Sequence, residues 1–320
     1  MNYSFRPAAR SNAKPLIGLY SESGCGKTRS ALLLARGFVG GDMSKVGMIE
    51  TESGRGEAYA SDPKIGGYQV LSLRDNFSPA NYHAALKAAE QSGFQAVIYD
   101  SASHEWEGSN GVLSMAADNE AKGWKGQIVW TAPKMAHARE FMLPLMQTPI
   151  PLVIVCMRAK YPLVEFINDR GKKDMKRAEV PSPKQSEDIL YEMFVHGWID
   201  REHRFRGTKY TLDELRSCIE DGNPITEDSG RKLAQWASGA KPSAPSQSTS
   251  GPTLPAGAGV TGEGATYISK EDLQALLLEV ERRGIKGRFA AKLAASKIAS
   301  ADQIPTSKLK AIQDWVKDAK

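Results

Sequence analysis

The residues Ser21-Glu22-Ser23-Gly24-Cys25-Gly26-Lys27-Thr28 have the types and spacing needed to hold a phosphate chain. Ser23, Gly24 and Gly26 are small enough for backbone N–H groups to converge on an anion at a helix N-terminus, where the macrodipole already favours negative charge. Lys27 supplies a mobile point charge for β and γ phosphates, and the Thr28 hydroxyl is a hard oxygen ligand for magnesium. Cys25 lies inside this binding loop, where its side chain has no required role. The full pattern, G-x-x-x-x-G-K-S/T, asks for glycine at the first position, and this chain has Ser21 there.

Such a loop works only between a strand and a helix. The apolar run 16–20 predicts the strand, and 29–36 predicts the helix. Further strands are expected at 46–52, 68–73, 95–100 and 151–157, with helices at 79–91, 111–121 and 132–146 between them. Ser78 precedes Pro79 as a helix cap followed by proline at the first helical position. Buried strands alternating with helices predict an α/β fold, a mainly parallel sheet flanked by helices. Beyond 157 the pattern changes to a hairpin around 168–171, a helical region at 186–194, a strand pair within 197–211 and a helix at 227–236.

This organisation divides the chain into a core at 1–240, a Pro/Ser/Gly-rich linker at 241–265 expected to be disordered, and a small three-helix module at 266–320. Ile268, Ser269, Asp272 and Leu273 form a staple around a capping box, and Leu273, Leu276, Leu277 and Val280 line one helix face. Two more helical runs carry Phe289, Leu293, Leu309, Ile312 and Val316 inward.

The chain has 320 residues and a net charge of +5. Residues 266–320 carry 11 Lys and Arg against 7 Asp and Glu, a net +4, so the basic excess sits in the tail. That charge permits nucleic-acid contact and equally describes a solvated helical surface. The longest strongly apolar run, 151–157, is too short to span a bilayer, which predicts a cytoplasmic protein without membrane contact. Cys25, Cys156 and Cys218 have neither zinc-ligand spacing nor a disulfide pattern.

A phosphate loop needs acidic partners on neighbouring strands. Asp100 ends the apolar strand 96–99, where its carboxylate emerges beside Thr28 as a second metal ligand. Two acids are candidates for activating water: Glu52, two residues after Glu50, and Glu105, in the segment Ser101-Ala-Ser-His-Glu105-Trp-Glu107, from which it could swing inward.

Ile49-Glu50-Thr51-Glu52, Ile98-Tyr99-Asp100-Ser101 and the glycine loop, in that order and spacing, resemble the RecA-type ATPase core. The run over roughly 13–215, including the strand ending Cys156-Met-Arg158-Ala-Lys160, is more closely similar to small phage-encoded P-loop ATPases of the AAA/RecA-like type, which are linked to phage recombination and single-strand annealing. The resemblance implies a RecA-like core, magnesium and ATP as the nucleotide, and Glu52 as the catalytic glutamate that activates water. It also implies a homo-oligomer with ATP at subunit interfaces, in the host cytoplasm if phage-encoded. The glutamine that senses the γ-phosphate in RecA-like proteins has no counterpart; Cys156 or Met157 takes its place. Arg158 and Lys160 are then candidates for a sensor or for a finger reaching a neighbouring subunit.

DNA-contacting loops in that arrangement correspond to 110–127, with Trp124 and Lys125, and to 158–177. The second holds Arg158, Lys160, Arg170, Lys172, Lys173, Lys176 and Arg177 against Glu165, Asp169 and Asp174, a basic hairpin suited to tracking single-stranded DNA. His104 and His137 read as structural. A rival reading is an ATP-dependent switch or loader that recruits a single-strand-binding or annealing protein through the C-terminal module. A small-molecule phosphotransferase ranks last, since no acceptor pocket or lid arginines are recognisable.

Overall fold

Six successive residues of strand β1 (Leu16–Ser21) are buried, as a strand covered on both faces must be. They belong to a computed structural model that describes residues 13–167, 171–239 and 304–318, with isolated positions between 272 and 296. The chain divides into two units, Met1–Ser246 and Gln247–Lys320. Arg170, Asp169 and the linker at 241–265 lie outside the described residues.

In the first unit β1 passes through the glycine loop into α1 (Lys27–Phe38), and β2 (Val46–Glu50) and β3 (Gln69–Ser72) follow. Next come α2 (Pro79–Gln91), β4 (Ala96–Asp100), α3 (Ser103–Glu107), α4 (Val112–Ala121) and α5 (Ile128–His137), which runs through wider π-type turns into α6 (Leu143–Gln147). The unit continues with β5 (Leu152–Lys160), the hairpin β6 (Leu163–Ile167) and β7 (Lys173–Arg177), and the short β8 (Ser182–Pro183). It ends with α7 (Asp188–Glu192), β9 (Val195–Ile199), β10 (Phe205–Tyr210), α8 (Leu215–Cys218) and α9 (Glu227–Ala237).

The sheet order is β10-β9-β1-β5-β4-β2-β3, parallel throughout except for β10 against β9, and β8 adds to β5 antiparallel. The α/β architecture with a mainly parallel central sheet flanked by helices is thus observed. Side chains alternate between its two faces. Ile17, Leu19, Ile98 and Ile154 meet Leu32, Leu34 and Leu233 on one side; Tyr20, Tyr99 and Val155 meet Tyr82, Leu86 and Phe141 on the other.

Ser78 caps α2 as expected, its side chain accepting from the Asn81 N–H. Strand β2 stops two residues earlier than predicted, because the buried Glu50 carboxylate accepts the N–H groups of Glu52 at 2.7 Å and Gly54 at 3.0 Å. Those bonds turn the chain out of the sheet, so Glu52 stands on a loop. The helical run predicted at 132–146 begins at Ile128, and its widened turns precede Pro144, which has no N–H to donate in an α-helical ladder.

Helices α1 and α9 meet backbone to backbone. A Cβ on Gly37 would lie 1.9 Å from the Glu227 carbonyl oxygen, and one on Gly230 would lie 2.1 Å from that of Leu34. Alanine normally favours a helix interior over glycine by about 1 kcal/mol. Gly37→Ala is nevertheless expected to destabilise the unit by about 2–3 kcal/mol in denaturant unfolding, because backbone cannot yield as a flexible side chain can.

His196, the second residue of β9, is 6% exposed, and its Nδ1 has no partner. Burial, aided by the charge of Lys209, pushes its pKa down to about 4. Between the ordinary histidine value and about 4, the unfolded chain binds a proton that the folded one refuses, so stability rises with pH across that window. His196→Gln should flatten the dependence of unfolding free energy on pH there, measured by urea titration.

In the second unit, Leu276, Val280, Phe289, Leu293, Ile312 and Val316 are buried together, as predicted, and Ile304 joins them. Leu309 is only partly buried. Residues 306–318 form α10 (Thr306–Asp318). Ile268, Ser269, Leu273 and Leu277 lie outside the described residues. Among the described residues no helix is long and apolar enough to cross a membrane.

Candidate functional site

The loop 22–26 leaves β1 at the carboxyl edge of the parallel sheet, where open α/β sheets place their ligands. Gly24 and Gly26 take left-handed φ values of 87° and 92°, which side chains disfavour. Gly26 is also the N-cap of α1, with no side-chain cap bond, so the first turn of α1 presents its N–H groups to an incoming anion. Ser21 has no positive φ; it is the last residue of β1, extended and 1% exposed. Glycine is therefore not needed there. Its hydroxyl donates to the Glu22 carbonyl at 2.8 Å and accepts from Lys27 Nζ at 3.4 Å.

Thr28 Oγ1 donates to Asp100 Oδ2 at 2.5 Å across 72 residues of sequence. Asp100 is 3% exposed at the end of β4, in register with Glu50 and Cys156. Burial raises its carboxyl pKa, opposed by the Thr28 hydrogen bond and the Lys27 charge. The two oxygens form a hard donor pair of the kind magnesium uses when phosphates and water complete its shell. Among the described residues no cluster of three or more His, Cys, Asp or Glu could hold a metal alone.

These groups face a cleft of about 1030 Å³. Glu52, Arg158, Lys184 and His203 line it, and Leu33, Tyr59 and Ile225 add apolar wall. Arg158 lies opposite Ser21 in the β1–β5 register and grips Glu52 with two bonds, from Nε at 2.8 Å and from Nη2 at 2.9 Å. Burial works against ionisation of Glu52, but the Arg158 hydrogen bonds and charge outweigh it and hold the carboxyl below the usual range. Glu107 reaches Arg158 at 3.9 Å and Lys184 at 3.2 Å, extending the charged wall.

Glu105 is a correction. It sits in α3 with no exposed surface, not in a mobile loop. Its carboxylate meets His137 Nδ1 at 3.0 Å and accepts from Gln185 Nε2 at 3.1 Å, and it does not line the cleft. A swing into the site would break that network. Glu105→Gln should leave any turnover within about twofold while costing about 1–3 kcal/mol of folding stability, read by urea unfolding beside a turnover assay.

His137 is thus structural, as read from sequence; His104 Nδ1 lies 2.7 Å from Thr51 Oγ1, and burial lowers its pKa, assisted by Arg158. Lys160, expected beside Arg158, is exposed, does not line the cleft and pairs through its backbone with Ser182. Lys184 stands on the cleft instead. Cys156 and Met157 are fully buried and cannot sense a ligand.

Trp124 and Lys125 are exposed in the turn between α4 and α5, away from the cleft lining. Lys173, Lys176 and Arg177 are exposed on β7, and Lys172 immediately precedes it. Their hairpin has Leu163, Ile167 and Met175 exposed at 63%, 62% and 53%, and Lys176 Nζ lies 5.7 Å from the centre of the Phe166 ring.

Sequence reasoning missed His203, whose Nδ1 lies 2.9 Å from the Cys25 carbonyl oxygen, and Lys184. Neither belongs to a local motif; both arrive from more than 150 residues away, and only the sheet order brings them in. No protein-family model matches the chain, and no curated protein matches it.

Proposed function

We propose that this chain is a magnesium-dependent ATPase with a RecA-like P-loop core, acting on single-stranded DNA in phage recombination or repair. The observation that carries this reading is the Thr28–Asp100 contact beside Lys27, at the mouth of a loop with two left-handed glycines. A surface lysine after an ordinary turn would have no buried carboxylate waiting for the next hydroxyl.

The glycine loop binds the phosphates through backbone N–H groups, and Lys27 leaves Ser21 to neutralise the β and γ oxygens. Thr28 and Asp100 would hold magnesium, which would supply positive charge to the transferring phosphoryl group. Glu52 orients the attacking water and accepts its proton. Arg158 acts within its own cleft, so its guanidinium can trade Glu52 for a γ-phosphate oxygen without a neighbouring subunit. RecA-like character and ATP as the base-specific choice rest on the resemblance of the motifs.

The DNA reading draws on the β6–β7 hairpin, where Lys173, Lys176 and Arg177 offer phosphate contacts beside the half-exposed Phe166 ring. The test is ATP hydrolysis with and without single-stranded DNA and magnesium, repeated with Lys173, Lys176 and Arg177 all changed to Ala. Stimulation by DNA that disappears in the triple variant is expected. A magnesium-dependent rate indifferent to DNA would remove the DNA part and leave the ATPase.

A further inference from the structure

The turn joining β9 to β10 reaches across to the glycine loop. Asp200, 6% exposed, builds that turn: it accepts the N–H groups of Glu202 at 3.0 Å and Arg204 at 2.8 Å, and the Nε groups of Arg204 at 3.2 Å and Arg206 at 2.9 Å. His203 sits in it with a left-handed φ of 62°, and its own N–H donates to the Asp200 carbonyl at 3.1 Å. Histidine tolerates this conformation better than most residues, yet it is uncommon and tends to mark functional turns.

The ring closes on the loop in two ways. Nδ1 lies 2.9 Å from the Cys25 carbonyl oxygen, and a carbonyl only accepts, so Nδ1 carries the proton. The same nitrogen lies 3.0 Å from where a Cβ on Gly26 would stand, so ring and loop are in contact. A second bond from this turn, Arg201 to Glu22 at 3.2 Å, is exposed and worth little.

We propose that His203 is a nucleotide-positioning residue: by holding the Cys25 carbonyl it keeps the Gly26 N–H turned into the phosphate cradle. The argument is one of peptide geometry. In a planar trans peptide the C=O and the following N–H point in opposite directions, so fixing the Cys25 oxygen on His203 also fixes the direction of the Gly26 N–H. Gly26 adjoins this peptide and tolerates either sign of φ, so without that bond the peptide can flip, and a flipped carbonyl would meet the phosphates as an acceptor facing an anion. The inference rests on the proposed nucleotide-binding reading and adds a residue to it from the far edge of the sheet.

Two substitutions separate positioning from turn stability. His203→Gly keeps the left-handed backbone without strain and removes the ring N–H. His203→Asn also tolerates that backbone and offers an amide Nδ2 one bond beyond Cγ, where histidine has Nδ1. In titration calorimetry with magnesium-ATP and magnesium-ADP, His203→Gly should weaken both nucleotides about 5- to 10-fold, the effect of one lost hydrogen bond. The ratio between them should hold, since the cradle is common to both, and His203→Asn should recover most of the loss. Wild-type affinity in His203→Gly, or no rescue by Asn, overturns the proposal while nucleotide binding stands. Absence of binding by the wild-type protein itself overturns the nucleotide reading and this inference together.

Discussion

Replacing Lys27 by Ala is expected to reduce magnesium-ATP hydrolysis by at least about 100-fold, the loss typical of removing a preorganised charge from a phosphoryl-transfer site. Lys27 opens α1 and belongs to neither hydrophobic cluster, so beyond losing its charge near Asp100 the variant should unfold close to the wild-type temperature. Its ammonium donates a 3.4 Å hydrogen bond to the Ser21 hydroxyl, too weak to compete with a phosphate oxygen. The ammonium is thus parked within the loop, ready to move. Turnover and nucleotide affinity would be measured beside a thermal melt. Hydrolysis that persists in Lys27→Ala would mean that the activity belongs elsewhere in the chain, and the whole assignment of the cleft would go with it.

Glu52→Gln should separate binding from chemistry. A positioned general base contributes about 10²- to 10⁴-fold, so turnover is expected to fall by at least about 100-fold. ATP affinity should change by no more than about threefold, because Lys27 and the glycine loop do the holding. The contrast with Glu105→Gln is the sharper part of the experiment: two acids that sequence left as rivals should respond in opposite ways, one losing turnover and the other stability. Arg158 makes the outcome informative. It now grips the two oxygens of the Glu52 carboxylate through two bonds, and a glutamine offers one oxygen in place of two. A Gln variant that binds ATP more tightly would reveal a guanidinium released toward the γ-phosphate. A variant that hydrolyses normally would strip Glu52 of its role.

The parts of this site that are legible in sequence are those set by local chemistry. Gly24, Gly26, Lys27 and Thr28 need nothing beyond a strand before them and a helix after, and Asp100 follows from a strand that ends in an acid. Glu105 shows where such reading stops. Its distance from Asp100 suits a loop acid, yet a five-residue helix turns it onto His137 and Gln185, partners 32 and 80 residues away. The end of β2 fails for a related reason: spacing does not show that the Glu50 carboxylate accepts the Glu52 and Gly54 N–H groups and so caps the turn that displays Glu52. His203 lies 178 residues from Cys25 and has no motif to announce it. Long-range sheet order, set by which strand lies beside which, supplies what spacing could not.

Gly37 and Gly230 have a mechanical consequence as well as a packing one. With no side chain between their backbones, α1 and α9 cannot slide or roll past each other without lifting apart, and the Arg36–Glu227 ion pair at 3.1 Å pins them near the same point. The pair therefore behaves as a single lever whose arm is α1, about 18 Å long at the ordinary helical rise. The glycine loop leads directly into the N-terminal end of that arm, and the contact with the first turn of α9 lies at its C-terminal end. An anion held by the glycine loop therefore sits on a helix whose far end is already fixed.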